Sequence, residues 1–242
     1  MYVYDATIEV TRNCNMWCEH CLRGDPQKRV MKKEYVYQFL SKISDIGTLN
    51  IGGGEPSLVP HKIDEIVDVA LYTKTDIQNF YIVTNGKRLT KPFLDAVERL
   101  YKYCSENEIS SLAISKDRFH ERVDYSYATE DYLEYFEEVG ILSEKEVYTV
   151  IGEGRGWGVP PHEEEYEIGD YGVEGKENDI TTGNLYLNAK GNIIAGCDWS
   201  YESQDLSQNI ICKVEDFSID KVTEYMSKKK AMQQVQTVEV CV

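Results

Sequence analysis

Tyr4-Asp5-Ala6-Thr7-Ile8-Glu9-Val10-Thr11 reads as a strand. It runs almost directly into Cys14-Asn15-Met16-Trp17-Cys18-Glu19-His20-Cys21, three cysteines within eight residues. One unit later a second strand, Thr48 to Gly52, passes into Ile51-Gly52-Gly53-Gly54-Glu55-Pro56. The pattern then repeats. Further strands are expected at Asn79 to Thr84, Ser111 to Ser115, Glu146 to Ile151 and Asn184 to Asn188. Ile51, Val83, Ile114 and Val150 lie 32, 31 and 36 residues apart.

Between the strands, apolar residues recur at i, i+3, i+4 and i+7, the stripe of an amphipathic helix. The four sets are Val36/Phe39/Leu40/Ile43, Ile63/Ile66/Val67/Ala70, Phe93/Ala96/Val97/Leu100 and Tyr132/Tyr135/Phe136/Val139. Pro92 in a first turn and Thr129 just ahead of another helix fit as start signals. Strand–helix alternation at this spacing predicts an α/β fold with parallel strands and right-handed crossovers. Five or six units fall short of a full barrel of about 250 residues, which leaves a partial barrel or an open doubly wound sheet. Either one places its site at the carboxyl ends of the strands.

The chain has 242 residues, 26 basic against 42 acidic side chains and a net charge of −16. An apolar share of 42% supports a folded core, and no apolar run approaches the roughly 20 residues of a membrane span. Such acidity argues against nucleic acid and anionic membranes as partners. With no basic-then-apolar leader, a cytoplasmic location is expected. The odd count of seven cysteines does not suit a disulfide framework. Cys104, Cys197, Cys212 and Cys241 are scattered, whereas the other three are clustered.

Three thiolates at C-x3-C-x2-C can converge on one inorganic centre. An iron–sulfur cluster held by three cysteines keeps one iron open to a ligand. Zinc is the alternative, with His20 or another residue as fourth ligand. Gly52, Gly53 and Gly54 let a ligand approach the backbone, although such a turn also serves as a plain βα connection.

Taken together, these residues resemble the radical S-adenosylmethionine (SAM) superfamily. Its members carry C-x3-C-x2-C after the first strand, with an aromatic residue before the last cysteine (His20 here), and Gly-Gly-Glu after the second strand, matched by Gly53, Gly54 and Glu55. The resemblance implies a partial (β/α)6 barrel over residues 1–190 and a short C-terminal extension, hairpin plus helix, over 191–242. It further implies that Cys14, Cys18 and Cys21 hold a [4Fe–4S] cluster whose open iron is chelated by SAM. The Gly53-Gly54-Glu55 backbone would meet the methionine amino group. Asn85 of Thr84-Asn85-Gly86, and Ser115 and Asp117 at the next strand end, would complete the cofactor site. Lys116 or Arg118 would suit the methionine carboxylate, and His120 is a candidate catalytic group. Adenine contacts are expected near Ile151-Gly152-Glu153-Gly154-Arg155. An external electron donor of flavodoxin or ferredoxin type is implied as partner.

Asn188-Ala189-Lys190-Gly191-Asn192-Ile193-Ile194-Ala195-Gly196-Cys197 resembles the opening of an auxiliary-cluster (SPASM-like) extension, without the dense cysteine run that should follow. A helix is expected from near Ser218. Residues 152–183 hold eight of the seventeen glycines and the run Glu163, Glu164, Glu165 and Glu167. Residues 121–180 contain eighteen acidic against four basic side chains, which suits a cationic peptide or protein substrate or, more plainly, a solvated face. Other readings are open. Ser115-x-Asp117-x-Phe119-x-Glu121 is similar to a stretch of viperin-like enzymes acting on nucleotides. A glycyl-radical enzyme activase and a non-catalytic metal or iron–sulfur sensor are two more.

Overall fold

The computed structural model describes residues 1–116, 119–120, 127–145, 154–156, 173–174, 181–194 and 199–228. Its elements alternate as the sequence predicts: β1 (Tyr2–Thr11), α1 (Lys33–Leu40), β2 (Asp45–Gly53), α2 (Pro60–Thr73), β3 (Asp76–Thr84), α3 (Lys91–Tyr103), β4 (Ser111–Ser115), α4 (Tyr127–Glu138) and β5 (Leu142–Lys145). β6 (Val173–Glu174), β7 (Thr181–Leu187), β8 (Asn192–Ile194), α5 (Tyr201–Gln204) and β9 (Ile210–Lys213) follow, and residues 219–228 are helical. The expected fifth strand, Glu146 to Ile151, lies outside the described residues, and β5 precedes it. α4 begins two residues before Thr129, and α1 stops at Leu40, although Ile43 is still buried in the core.

The sheet runs β5-β4-β3-β2-β1-β7-β8-β9, with β6 beside β7. The first six of these are parallel, while β8 and β9 continue antiparallel. The sixth parallel strand, β7, therefore lies on the far side of β1 rather than beyond β5. That makes β1 a central strand, and the loop that leaves its carboxyl end emerges mid-sheet.

Register sorts the side chains into two faces. Ala6 pairs with Leu49 and Leu185, Ile8 with Ile51 and Leu187, Leu49 with Phe80, and Ile82 with Leu112. All of these are buried in one cluster with Val36, Phe39, Ile63, Ile66, Phe93, Val97 and Phe136 from α1–α4. Each of the Val, Leu, Ile and Phe side chains among them contributes about 1.5–3 kcal/mol by leaving water. Because side chains alternate along a strand, the opposite face carries Thr7 against Asn50 and Tyr186, and Asn50 against Tyr81. Thr7, Asn50 and Tyr81 are half-buried and polar. One face is thus closed by helices, and the other is a hydrogen-bonding floor. Among the described residues no helix is long and apolar enough to cross a membrane.

Candidate functional site

The carboxyl ends of β1 to β4 meet through their loops. Gly53 has φ +137°, where L side chains rarely go, and a Cβ there would lie 2.1 Å from the Thr11 carbonyl oxygen. A Cβ on Gly54 would lie 2.3 Å from the Asn13 carbonyl oxygen. These glycines let the two loops touch backbone to backbone. The Gly54 N–H donates to the Thr11 carbonyl at 2.8 Å and the Glu55 N–H to the Asn13 carbonyl at 2.9 Å, directly ahead of Cys14.

The Glu55 side chain is 1% exposed and turns to the third strand. Its carboxylate accepts from the Ser57 N–H at 2.9 Å, the Thr84 hydroxyl at 2.7 Å and the Asn85 N–H at 2.8 Å. Three donors on one buried carboxylate join the ends of β2 and β3. Glu55→Gln places an amide NH2 against one of these donors, and we expect a loss of about 2 kcal/mol in urea unfolding. An unchanged midpoint would show that the carboxylate does not hold these strand ends.

Asn85 continues the chain of contacts. Its side-chain amide donates to Asn15 Oδ1 at 2.8 Å and approaches Cys14 Sγ at 3.9 Å, while its own oxygen accepts from the Lys87 N–H. Cys18 Sγ lies 3.9 Å from His120 Nε2. The Met16 N–H also approaches Cys14 Sγ, at 3.4 Å. Burial pushes the Cys14 thiol up, against that hydrogen bond. His20 is buried, stacks on Phe119 with centroids 4.0 Å apart, and meets the His120 ring edge-on. Ser115 is buried at the end of β4, and Asp117 lies outside the described residues. Contacts thus tie Cys14 to Asn85 and Glu55 on one side, and Cys18 to His120 and His20 on the other, with Cys21 on the same short loop.

Arginines hold this loop from outside, and only the position of Arg155 was within the expected stretches. Arg155 donates from its backbone N–H to the Cys21 carbonyl at 2.9 Å, from Nε to the Cys18 carbonyl at 2.9 Å and from Nη1 to the Gly24 carbonyl at 2.6 Å. Its guanidinium lies 4.4 Å over the Trp17 ring. A Cβ on the neighbouring Gly154 would sit 2.2 Å from the Leu22 carbonyl oxygen. Gly154 and Arg155, from the stretch expected to meet adenine, thus pack on the cysteine loop. Arg23 Nη1 donates to the Trp199 carbonyl at 2.5 Å, and the Tyr201 N–H to the Arg23 carbonyl at 3.1 Å.

Arg12 is fully buried. It donates to Glu9 at 2.7 Å, to both Asp205 oxygens at 3.0 and 3.2 Å, to Gln204 at 2.9 Å and to Gln27 at 3.2 Å. Segment 199–205 thus grips both ends of the cysteine loop. A charged side chain next to a strand end was the available signal, but Gln204 and Asp205, two of its partners, lie about 190 residues away in sequence.

The remaining cysteines differ. Burial pushes the Cys104 thiol up to about 12 and the Cys212 thiol up to about 11, so both are neutral near pH 7. Cys197 and Cys241 lie outside the described residues. Among the described residues, no three His, Cys, Asp or Glu side chains are grouped to hold a single metal ion. Three thiols on a pinned loop, with Asn85 and His120 nitrogens beside two of the sulfurs, are a donor set that fits an iron–sulfur cluster.

The radical SAM superfamily model matches residues 8–156, more than half of the chain. Among solved structures, anSMEcpe with bound AdoMet is similar at a TM-score of 0.56 and 11% identity, over 91% of this chain and 81% of that one. The same protein with AdoMet and the Cp18Cys peptide gives 0.55 and 11%, over 93% and 80%. BtrN in complex with AdoMet and 2-DOIA gives 0.53 and 12%, over 94% and 86%. At these identities the likeness shows the fold. No curated protein matches the sequence. The family match ends before β7, so it lends nothing to an auxiliary-cluster extension.

Proposed function

Because the chain belongs to the radical SAM superfamily and is an enzyme of that type, we propose that Cys14, Cys18 and Cys21 hold a [4Fe–4S] cluster with SAM on its open iron. One observation carries the assignment: the cysteine loop leaves central strand β1 and is bonded, amide to carbonyl, to the Gly53-Gly54-Glu55 turn. When bound and reduced by one electron, this pair supplies cleavage of the sulfonium C–S bond to methionine and a 5′-deoxyadenosyl radical that takes hydrogen from substrate.

The chain's own residues position the pair. The Gly54 and Glu55 amides are committed to Thr11 and Asn13. A methionine amino group asks for acceptors, and the carbonyls of this turn are the groups at hand. Asn85 sets the Cys14 side of the loop and Arg155 the Cys18–Cys21 side. His20, backed by Phe119, offers an aromatic surface for adenine. Ser115 and Asp117 serve the ribose. We take residues 1–190 as the core and 191–242 as an extension, of which segment 199–205 braces the cysteine loop.

The substrate we assign is a cationic peptide or protein side chain, and a flavodoxin- or ferredoxin-type protein supplies the electron. The surplus of fourteen negative charges over residues 121–180 supports this reading. The Thr7, Asn50 and Tyr81 floor offers neutral hydrogen-bonding groups beneath the site. The test is anaerobic reconstitution with iron and sulfide. We expect about four irons per chain and dithionite-dependent release of 5′-deoxyadenosine from SAM. Zinc retention without SAM cleavage would overturn the cluster. Equal consumption of lysine-rich and glutamate-rich peptides would overturn the substrate class.

A further inference from the structure

In a chain of net charge −16, the stretch Arg23 to Lys33 is an exception: Arg23, Lys28, Arg29, Lys32 and Lys33 stand against Asp25 alone. This stretch leaves the cysteine loop and returns alongside β1. The Arg12 N–H and the Thr11 hydroxyl both donate to the Arg29 carbonyl, at 2.9 and 2.8 Å, and the Met31 N–H to the Val10 carbonyl at 2.9 Å. Paired extended segments lie about 5 Å apart, so Lys28 and Arg29 are one such spacing from the residues that lead into Cys14. Lys28, Arg29, Val30, Lys32 and Lys33 are all exposed. Among the described residues, Lys28, Arg29, Lys32 and Lys33 enter no ion pair, and Lys32 lies 5.3 Å over the Tyr35 ring. Trp17, on the cysteine loop itself, is 66% exposed.

A fixed cationic strip on an acidic molecule has a directional consequence. An acidic protein approaching it is repelled by the overall field and attracted at the strip, which sets both its rate of encounter and its orientation. The strip borders the loop that carries the three cysteines, the place where an electron has to enter.

We propose that the Lys28–Lys33 strip is the docking face for a small acidic flavodoxin-type electron carrier. The inference rests on the reading of Cys14, Cys18 and Cys21 as cluster ligands. The carrier's anionic flavin hydroquinone gives up one electron and becomes the neutral semiquinone, and the centre gains that electron. No atom or proton crosses, and no bond forms between the proteins.

The test compares the wild-type chain with Lys28→Glu/Arg29→Glu/Lys32→Glu/Lys33→Glu, using an acidic flavodoxin as probe. Affinity of the metal-free chains is measured by calorimetry, and SAM cleavage by the reconstituted chains is driven either by reduced flavodoxin or by dithionite. We expect flavodoxin affinity and flavodoxin-driven cleavage each to fall by about tenfold or more, with the wild-type affinity itself falling as salt is added. Dithionite-driven cleavage should stay within about twofold, since no catalytic contact is touched. Lys28→Gln/Arg29→Gln, confined to two exposed side chains, carries the same comparison if the fourfold variant folds poorly. Unchanged flavodoxin affinity overturns the docking face, as does equally tight binding of polyglutamate. Failure of dithionite to cleave SAM with the wild-type chain would instead overturn the cluster reading, while the calorimetry still decides the docking face.

Discussion

Cys18→Ala should leave the anaerobically reconstituted chain colourless and reduce 5′-deoxyadenosine release to background. Three thiolates are the whole of the protein's share of the proposed cluster. With Cys18 gone, only two thiolates remain to hold it. The fold should tolerate the change well. Cys18 is half-exposed, and its thiol lies 3.9 Å from His120 Nε2 rather than packed in the core. The metal-free variant should unfold within about 1 kcal/mol of the wild type. Cys104→Ala is the converse control. That thiol is buried and held neutral, with its pKa pushed up to about 12. Its removal should cost about 1–2 kcal/mol through lost packing while colour and cleavage persist. A Cys18→Ala chain that still binds four irons and cleaves SAM would refute the assignment outright.

The alternation of elements was legible because the core obeys it. Ile63, Ile66, Val67 and Ala70 face the sheet as their spacing requires, and so do Phe93, Ala96, Val97 and Leu100. The motif residues were legible as residues, but not all of their tasks were. The Glu55 carboxylate is spent on Ser57, Thr84 and Asn85, contacts that no spacing rule specifies. The placement of β7 beside β1 was hidden as well, because chain order does not state on which side of a sheet a strand returns. The clamp residues Arg12, Arg23 and Asp205 depended on that return. Their partners come from opposite ends of the chain, and a local motif records only one of each pair. The polar floor of Thr7, Asn50 and Tyr81 had a local signal, since each sits between apolar neighbours on its strand.

Arg12→Met should be the most destabilising single change near the site. The guanidinium and the Glu9 carboxylate are both fully excluded from water. Burial alone would lower the arginine pKa, yet Glu9 and Asp205 outweigh it and raise it. Without Arg12, Glu9 keeps the Tyr186 hydroxyl and the Ala189 N–H, each at 2.9 Å, but loses its counter-charge. Breaking one side of a buried pair costs about 3–5 kcal/mol, a fall in melting temperature of roughly 6–20 °C for a chain of this size. The double variant Glu9→Gln/Arg12→Met should recover part of that loss, since no buried charge is then left alone. Asp205→Asn should cost less, because Asp205 is 24% exposed and solvent screens its pairs with Arg12 and Lys190. Although burial pushes that carboxyl up, Arg12 and Lys190 outweigh it and hold it below the usual range. Its contribution is therefore present above the ordinary carboxylate value and is lost as the pH falls through the depressed one. Asp205→Asn should flatten that acid limb, leaving its stability cost visible at pH 7 and absent at low pH. Both variants should also lose iron faster than the wild type on dilution into chelator, because Arg12 ties segment 204–205 to a position two residues from Cys14. If melting falls while iron release does not change, the clamp supports the fold without positioning the cysteine loop.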